Sequence, residues 1–436
     1  MARQTPGTHA NDPGIHTPDG AARRLPEKSL RRTFRSLRHR NYGLYWFGQM
    51  ISLTGSSMQS IGQAWLVLKL THSAWQLGLS GALQALPILC FSLPGGMLVD
   101  RCSRRQLLLA TQATAMLQAL LFWLLTITGA IQIWQIYTLA LLLGCVNCLD
   151  RPATRAFVAD LVGYADLPNA VALRSSLAQL TRIIGPALGG VVIAFGSVQL
   201  LFLLNTFSFL AVLASLGLIN SQDLSVRAPR HSTERLPIWR SLREDLRCLW
   251  RIPEMFLVTV VVGLVLLFGS NFGVVLPLLA TAVLHAGATG FGLLSAAMGS
   301  GALLSALRLA WSNRGPTTRS MLTGLLLFGV LEALFALSRS YLLSAALLAG
   351  LCFAEETFAT QALTALQMLV PDHLRGLASG VQILCFDGTL PLGYVLVGWL
   401  SDLYGASLTL LLCALLCLAI TTVACLWRLP ALAGSR

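Results

Sequence analysis

Four ionisable residues stand where ionisable residues are costly. Arg182, Glu355, Glu356 and Asp387 fall inside long runs of apolar residues. A charge at the centre of a bilayer-spanning helix costs roughly 2.5–3.5 kcal/mol on insertion scales. A carboxylate there can take up and return a proton, and a guanidinium can pair with it or hold an acidic ligand. Glu356, Thr360 and Thr364 recur at steps of four, so one face of their helix is polar. Glu332 and Asp150 lie nearer the ends of their runs and read as interfacial. Asn271 sits among Gly269, Ser270, Gly273 and Pro277, a stretch prone to bend.

A second polar set is uncharged. Gln49, Ser52, Ser56, Gln59 and Gln63 are spaced three, four, three and four residues apart, which brings all five to one helix face. Gly48, Gly55 and Gly62 lie on an adjacent face, where they permit close packing. A hydrogen-bonding stripe on a membrane helix faces either a wet cavity or another helix. Substrate contact is the favoured role for this stripe.

The chemistry of these residues is binding, with no catalytic residue and no metal site expected. All seven histidines fall in loops or tails, and neither H-E-x-x-H nor G-x-S-x-G occurs. A membrane-embedded enzyme is thereby disfavoured. The two lysines, Lys28 and Lys69, do not complete a phosphate-binding loop, so ATP drive is not indicated. Cys145 and Cys148 form a lone C-x-x-C, and nearly all ten cysteines lie in apolar runs as small filler. No cofactor is expected beyond an ion gradient.

The elements that position these residues follow from composition. Of 436 residues, 55% are hydrophobic and 11% charged, with mean hydropathy +0.69. A soluble domain has no means of covering so much apolar surface, and lipid removes the need. A membrane helix takes about 20 apolar residues. The runs predict twelve transmembrane helices near 42–68, 76–99, 106–128, 132–150, 171–195, 198–219, 255–283, 290–312, 319–338, 341–365, 376–400 and 407–427. The fold class is therefore an all-α membrane protein. Residues 1–40 read as a disordered basic tail and 41–219 as a first bundle of six helices. Residues 220–254 form a linker with an amphipathic helix, 255–428 a second six-helix bundle, and 429–436 a short tail.

The net charge of +13 does not point to nucleic acid. Nine of the 31 Lys and Arg lie in residues 1–40 and seven in 227–251, with most others in short breaks between apolar runs. The alternate connections hold Arg101, Arg104 and Arg105, then Arg151 and Arg155, then Arg314, Arg319 and Arg375. The intervening ones hold Lys69 and Arg339. This asymmetry places both termini in the cytoplasm. The expected partners are the lipid bilayer and a small-molecule substrate, handled by a monomer with a handoff to periplasmic or outer-membrane components.

Three stretches carry a family resemblance. GGMLVDRCSRR (95–105) resembles the signature loop of the major facilitator superfamily, matching at Gly96, Leu98, Asp100, Arg101, Arg104 and Arg105, with Ser103 in place of the usual glycine. The resemblance implies that Asp100 and its arginines latch the cytoplasmic side in the outward-facing state. IIGPALGG (183–190) resembles the superfamily's antiporter motif through Gly185, Pro186, Gly189 and Gly190, which implies export. The run from Asn41 to Leu218, with DRPATRAFVADLV (150–162) and FLLNTFSFLAVL (202–213), is similar to the branch containing the enterobactin exporter and macrolide-efflux proteins. PLGYVLVGWLSDLYG (391–405) fits the same pattern.

An offset of 208 residues superimposes Gly185 on Gly393 and Gly190 on Gly398, as parallel six-helix repeats would leave behind. The resemblance implies two pseudo-symmetric bundles and proton-driven export of a siderophore or drug by alternating access. An uptake symporter of the same fold is the alternative. The fourth span lacks the mid-helix arginine of many drug–proton antiporters, Arg174 stands where asparagine is frequent, and Leu377 where arginine is common.

Overall fold

A computed structural model of the chain describes residues 34–220, 253–311, 318–369 and 388–433, with backbone alone at 92–97, 100–101, 253–257, 310, 318–319, 366–369 and 427–433. After a 3-10 turn at Arg35–Arg38 the order is α1 (Arg40–Thr71), α2 (Ala74–Arg101), α3 (Arg104–Ile127), α4 (Ile133–Phe195) and α5 (Val198–Leu218). The second half contributes α6 (Pro253–Gly269), α7 (Phe272–Leu278), α8 (Gly287–Trp311), α9 (Thr318–Leu337), α10 (Tyr341–Leu369), α11 (Thr389–Tyr404) and α12 (Ala406–Ala433). Among the described residues, nine segments are long and apolar enough to cross a membrane. Large apolar side chains such as Phe195, Phe207, Leu342 and Leu412 point outward from them. Lipid satisfies such a surface, and water does not.

Two expected boundaries change. The break predicted over 151–170 is helical: α4 runs for 63 residues and turns at Gly163, where φ is +69°. Glycine takes that conformation without a Cβ penalty, so the chain reverses without a loop. The span predicted over 255–283 is broken instead. Helix α6 ends at Gly269, α7 restarts at Phe272, and a π-helical turn follows at Leu279–Val283, just past Pro277. Proline removes one backbone donor and crowds the preceding turn. At the break the Asn271 side-chain amide donates to the carbonyls of Leu267 (2.7 Å) and Phe268 (3.1 Å), acceptors that the interrupted ladder leaves open. The amphipathic stripe of the central linker, residues 1–33 and Asp387 lie outside the described residues.

Each half has its own apolar core. One joins Tyr42, Tyr45, Phe157 and Phe209 in the first half. Another joins Val265, Leu325, Phe328, Phe358 and Cys413 in the second. Within the first half, α1 and α5 fit as two ladders of small residues. A Cβ on Gly48 would lie 2.6 Å from Ser215 Oγ, one on Gly55 2.3 Å from Ser208 Oγ, and one on Gly62 2.8 Å from Leu201 Cδ1.

Contact between the halves runs along two seams. On one, α2 meets α11: a Cβ on Gly78 would strike the Tyr394 carbonyl at 2.2 Å, and Gly398 sits against Ala74. On the other, α4 meets α8, with Gly190 against Gly292 and Gly299 against the Arg182 backbone. The first seam uses the start of α2 and the end of α11; the second runs from Gly190 and Gly292, near the end of α4 and the start of α8, to Arg182 and Gly299 at mid-helix. By the up-and-down course of the helices these ends share one side of the molecule, opposite the start of α1. That side is called distal below.

The glycine ladder gives a stability prediction. Gly55→Val should overpack the α1–α5 contact and cost about 1–3 kcal/mol. The unfolding midpoint in detergent should fall. Gly217→Ala, where a new Cβ meets nothing within 4 Å, should leave it unchanged.

Candidate functional site

The sequence-predicted polar residues divide between helix contacts and a cavity. Gln59 is buried and bonds to two other helices: its amide donates to Gln118 Oε1 of α3 (2.9 Å) and its carbonyl accepts from Asn205 of α5 (2.6 Å). Gln118 in turn donates to the Leu139 carbonyl of α4, and Ser208 donates to Asn205 Oδ1. Gln49 donates to the Tyr45 hydroxyl, which donates to Thr154. Ser52 is buried and Ser56 half-buried on the same helix. Gln63, also mostly buried, reaches a cavity.

Two adjacent cavities lie between the halves. The first, about 290 Å³, is lined by Ser60, Gln63, Gln84, Asn147, Arg151 and Tyr394. The second, about 580 Å³, is lined by Arg182, Pro186, Ser270, Glu355, Glu356 and Thr360 among others. Gly273, Leu390 and Tyr394 belong to the walls of both, so the two are adjacent lobes that meet at these residues. One lobe is rich in amides, the other holds the charges. Together they could accept a ligand that mixes apolar parts with hydrogen-bonding groups.

Three of the four intramembrane charges meet in the larger lobe. Arg182 of α4 faces Glu356 of α10 across the two halves, with Nη1 3.6 Å from Oε1. The guanidinium remains largely exposed toward the cavity. Ser270, at the break between α6 and α7, donates a short hydrogen bond to Glu355. Asn271 stands beside it but points away, its amide spent on the α6 carbonyls. Two acidic groups, one paired with arginine and one with a hydroxyl, thus line the same wall. Such a wall binds donors and protons at the same oxygens.

Known proteins agree with this architecture. The family described as transmembrane secretion effectors, within the major facilitator superfamily, matches residues 31–435. The chain belongs to the major facilitator superfamily. That family is one of multi-pass membrane transporters.

Among its relatives, the enterobactin exporter EntS of Citrobacter koseri is 27% identical over 289 residues, 66% of each chain. The staphyloferrin A transporter of Staphylococcus aureus is 31% identical over 177 residues, 40% of this chain and 45% of that one. An MFS-type transporter of Bacillus subtilis, YfiS, is 27% identical over 241 residues. The chain thus spans 56%, 45% and 66% of the lengths of YfiS, the staphyloferrin A transporter and EntS. Among solved structures, a bacterial homolog of the human lysosomal transporter Spinster superposes with TM-score 0.72 at 13% identity, covering 88% of this chain and 97% of that one. A bacterial homologue of the iron transporter ferroportin gives 0.66 at 15% identity, covering 88% and 98%.

The superfamily motifs have concrete places. In the signature loop, Gly96, Asp100 and Arg101 fall on helical backbone, and their side chains lie outside the described residues. Arg104 grips Asp160 of α4 through Nη1 at 2.5 and 2.6 Å. Arg105 donates to the carbonyls of Leu216 and Gly217, the last turn of α5. A guanidinium on exposed helix carbonyls caps the negative end of the macrodipole. In the second motif, Gly185 and Gly189 bring α4 onto α1, whereas Gly190 meets α8 of the other half. Pro186 is buried and borders the larger lobe.

Sequence reasoning missed part of the wall. Arg151, read as a loop cation, is inside α4 and lines the smaller lobe one turn from Asn147. Their spacing of four was the available signal. Gln84 and Tyr394 carried none, being single polar groups in apolar runs. Glu332 and Asp150, read as interfacial, also differ. Glu332 is fully buried, and Asp150 accepts from Thr111 and Gln112 at 2.8 Å each.

The division predicts opposite behaviours along α1. Gln59→Leu leaves Gln118 Oε1 without its donor and the Asn205 side-chain N–H without its acceptor, and should cost about 1–3 kcal/mol. Gln63→Leu, at the cavity wall, should keep the unfolding midpoint near wild type. Equal losses for both would merge the two groups.

Proposed function

We propose that this chain is a secondary exporter, which moves a small amphipathic molecule of siderophore type out of the cytoplasm in exchange for protons. In this reading, α1, α2, α3, the two arms of α4 and α5 form one six-helix bundle. The broken span α6–α7 with α8 to α12 forms the other. The arginine-rich side carries both termini and faces the cytoplasm of the inner membrane.

The observation that carries the proposal is the charged wall between the halves: Arg182 facing Glu356, and Glu355 held by Ser270. Hydroxyl and amide N–H groups of a substrate would donate to Glu355 and Glu356 from the cytoplasmic side. Protons arriving from the other side would compete for the same oxygens and release the substrate. Exchange requires this competition. Arg182 keeps two neighbouring carboxylates from repelling each other when both are ionised. Siderophore cargo is favoured by relatives named as an enterobactin exporter and a staphyloferrin A transporter.

Inverted membrane vesicles with an acidified lumen test the direction and the coupling. With enterobactin and staphyloferrin A as probes, the wild-type chain should accumulate one of them, and Glu356→Gln should lower that accumulation roughly tenfold. Failure of the wild type to accumulate either probe would count against siderophore export. Unchanged pH dependence in Glu356→Gln would remove that residue from coupling.

The closed side supports an inward-facing state. Asp402 at the end of α11 caps the first turn of α2 in the other half: Oδ2 accepts from the Ser73 hydroxyl (2.6 Å) and Oδ1 from the Ala74 N–H (2.5 Å). A carboxylate at a helix N-terminus is favoured by the dipole as well as by the hydrogen bonds. This contact spans the distal seam and must break for the cavity to open outward. Asp402→Ala should weaken closure by about 1–3 kcal/mol. A single cysteine at Thr360, with native cysteines replaced, should then react faster with a membrane-impermeant maleimide added outside. An unaltered rate would show that the seam closes without Asp402.

A further inference from the structure

Behind the charged wall lies a carboxylate with no assigned role. Glu332 of α9 has 0% exposure. Both of its oxygens are buried, no O–H or N–H donor reaches them among the described residues, and the weak thiol of Cys417 is the side-chain donor beside them. Its location is specific. A Cβ on Gly269 would come 3.3 Å from Glu332 Oε2, so the absence of a side chain at Gly269 makes room for the carboxyl. Gly269 is the last residue of α6, and the next residue, Ser270, donates to Glu355. Two acids from α9 and α10 therefore flank consecutive residues of the helix break, one on the cavity wall and one behind it.

The surroundings of Glu332 contain little that could neutralise a charge. The titratable groups that face it are Glu355 from α10 and the thiols of Cys413 and Cys417 from α12. Cys417 itself turns to the Val265 carbonyl. The segment α6 presents Gly269, and α9 supplies Phe328 one turn earlier. Among the described residues no cation stands beside Glu332. A bare carboxylate in such a place is a heavy electrostatic burden, whereas a neutral acid is a tolerable one.

We infer that Glu332 is a second proton-binding residue of the transporter, exchanging its proton with Glu355 through the break at Gly269–Asn271. The inference rests on the proposed proton coupling, which it deepens. The balance is simple: the O–H bond of Glu332 breaks, an O–H bond forms on a Glu355 oxygen, and the pair keeps one proton and one negative charge. Glu355 then delivers the proton to the cavity. Because Ser270 donates to the ionised Glu355, proton arrival weakens that contact and frees the break to rearrange. Glu332 thus acts as a store that links proton occupancy to the shape of the seventh span.

Infrared spectra of the purified full chain in nanodiscs, recorded over about pH 5 to 9 in H₂O and D₂O, test this. The expected result is a carboxylic-acid C=O band that shifts on deuteration, fades toward alkaline pH, and is absent in Glu332→Gln. If every titrating carboxyl band persists in Glu332→Gln, the inference is overturned. A Glu332 band that never fades marks a permanently neutral structural acid and also overturns it. Should Glu332→Gln fail to fold, Glu332→Asp keeps the carboxyl at a changed position. A displaced band and midpoint support the site, and an unchanged band rejects it. A titrating Glu332 band together with flux indifferent to an imposed pH gradient would keep the proton site and reject proton drive.

Discussion

A polar group inside a bilayer has no water to turn to, so it must find its partner in the protein or line a space that admits solvent. That constraint sorts the interior of this transporter. Gln59, Gln118, Asn205 and Ser208 solve it by bonding to one another, and in doing so tie α1 to α3, α4 and α5. Asp150 solves it with Thr111 and Gln112. Arg182, Glu355 and Glu356 solve it at a cavity wall. The remaining architecture follows from these three solutions, because helices that share amide contacts cannot separate, while helices that share a cavity can.

Close approach of the helices is the second requirement, and glycine meets it at different places for different ends. Inside the first half, Gly48 and Gly55 admit the serines of α5 and make a fixed contact. Between the halves, Gly190 faces Gly292 and Gly78 faces the Tyr394 backbone. Dispersion between flat, small-residue surfaces supplies attraction without interlocking side chains. Surfaces of that kind can part and rejoin. On the α2–α11 seam Asp402, bonded to the start of α2, adds direction to a contact of small residues.

Much of the helical architecture was legible in the sequence, since apolar run length depends on bilayer thickness and on nothing tertiary. The departures fall where local backbone chemistry overrules run length. Gly163 turns a predicted loop into a kink within α4, because a left-handed glycine reverses direction in one residue. Pro277 and the Ser270–Asn271 pair divide a run that hydropathy alone reads as continuous. The site was legible in kind but not in partners. Spacing brought Gln59 and Gln63 to one face, yet only the positions of α3 and α5 decide that the first bonds to helices and the second meets the cavity. Arg151 was misplaced for the converse reason: a cation near the end of an apolar run looks like a loop until the helix is seen to continue.

The unmet polar atoms are not shared equally between the halves. Among the described residues nine buried side-chain oxygens have no partner, and eight of them belong to the second half, with Gln112 Oε1 the exception. The same half contains the broken span and its π turn. An unsatisfied buried group raises the energy of the conformation that strands it and so favours any alternative that satisfies it. The first half, with its amide network nearly complete, has little to gain from rearranging. The second half has both the incentive and, at Gly269–Asn271, a place to bend. In the proposed transport cycle the second half, with its break at Gly269–Asn271, is the part suited to deform, and the acids Glu332, Glu355 and Glu356 belong to it.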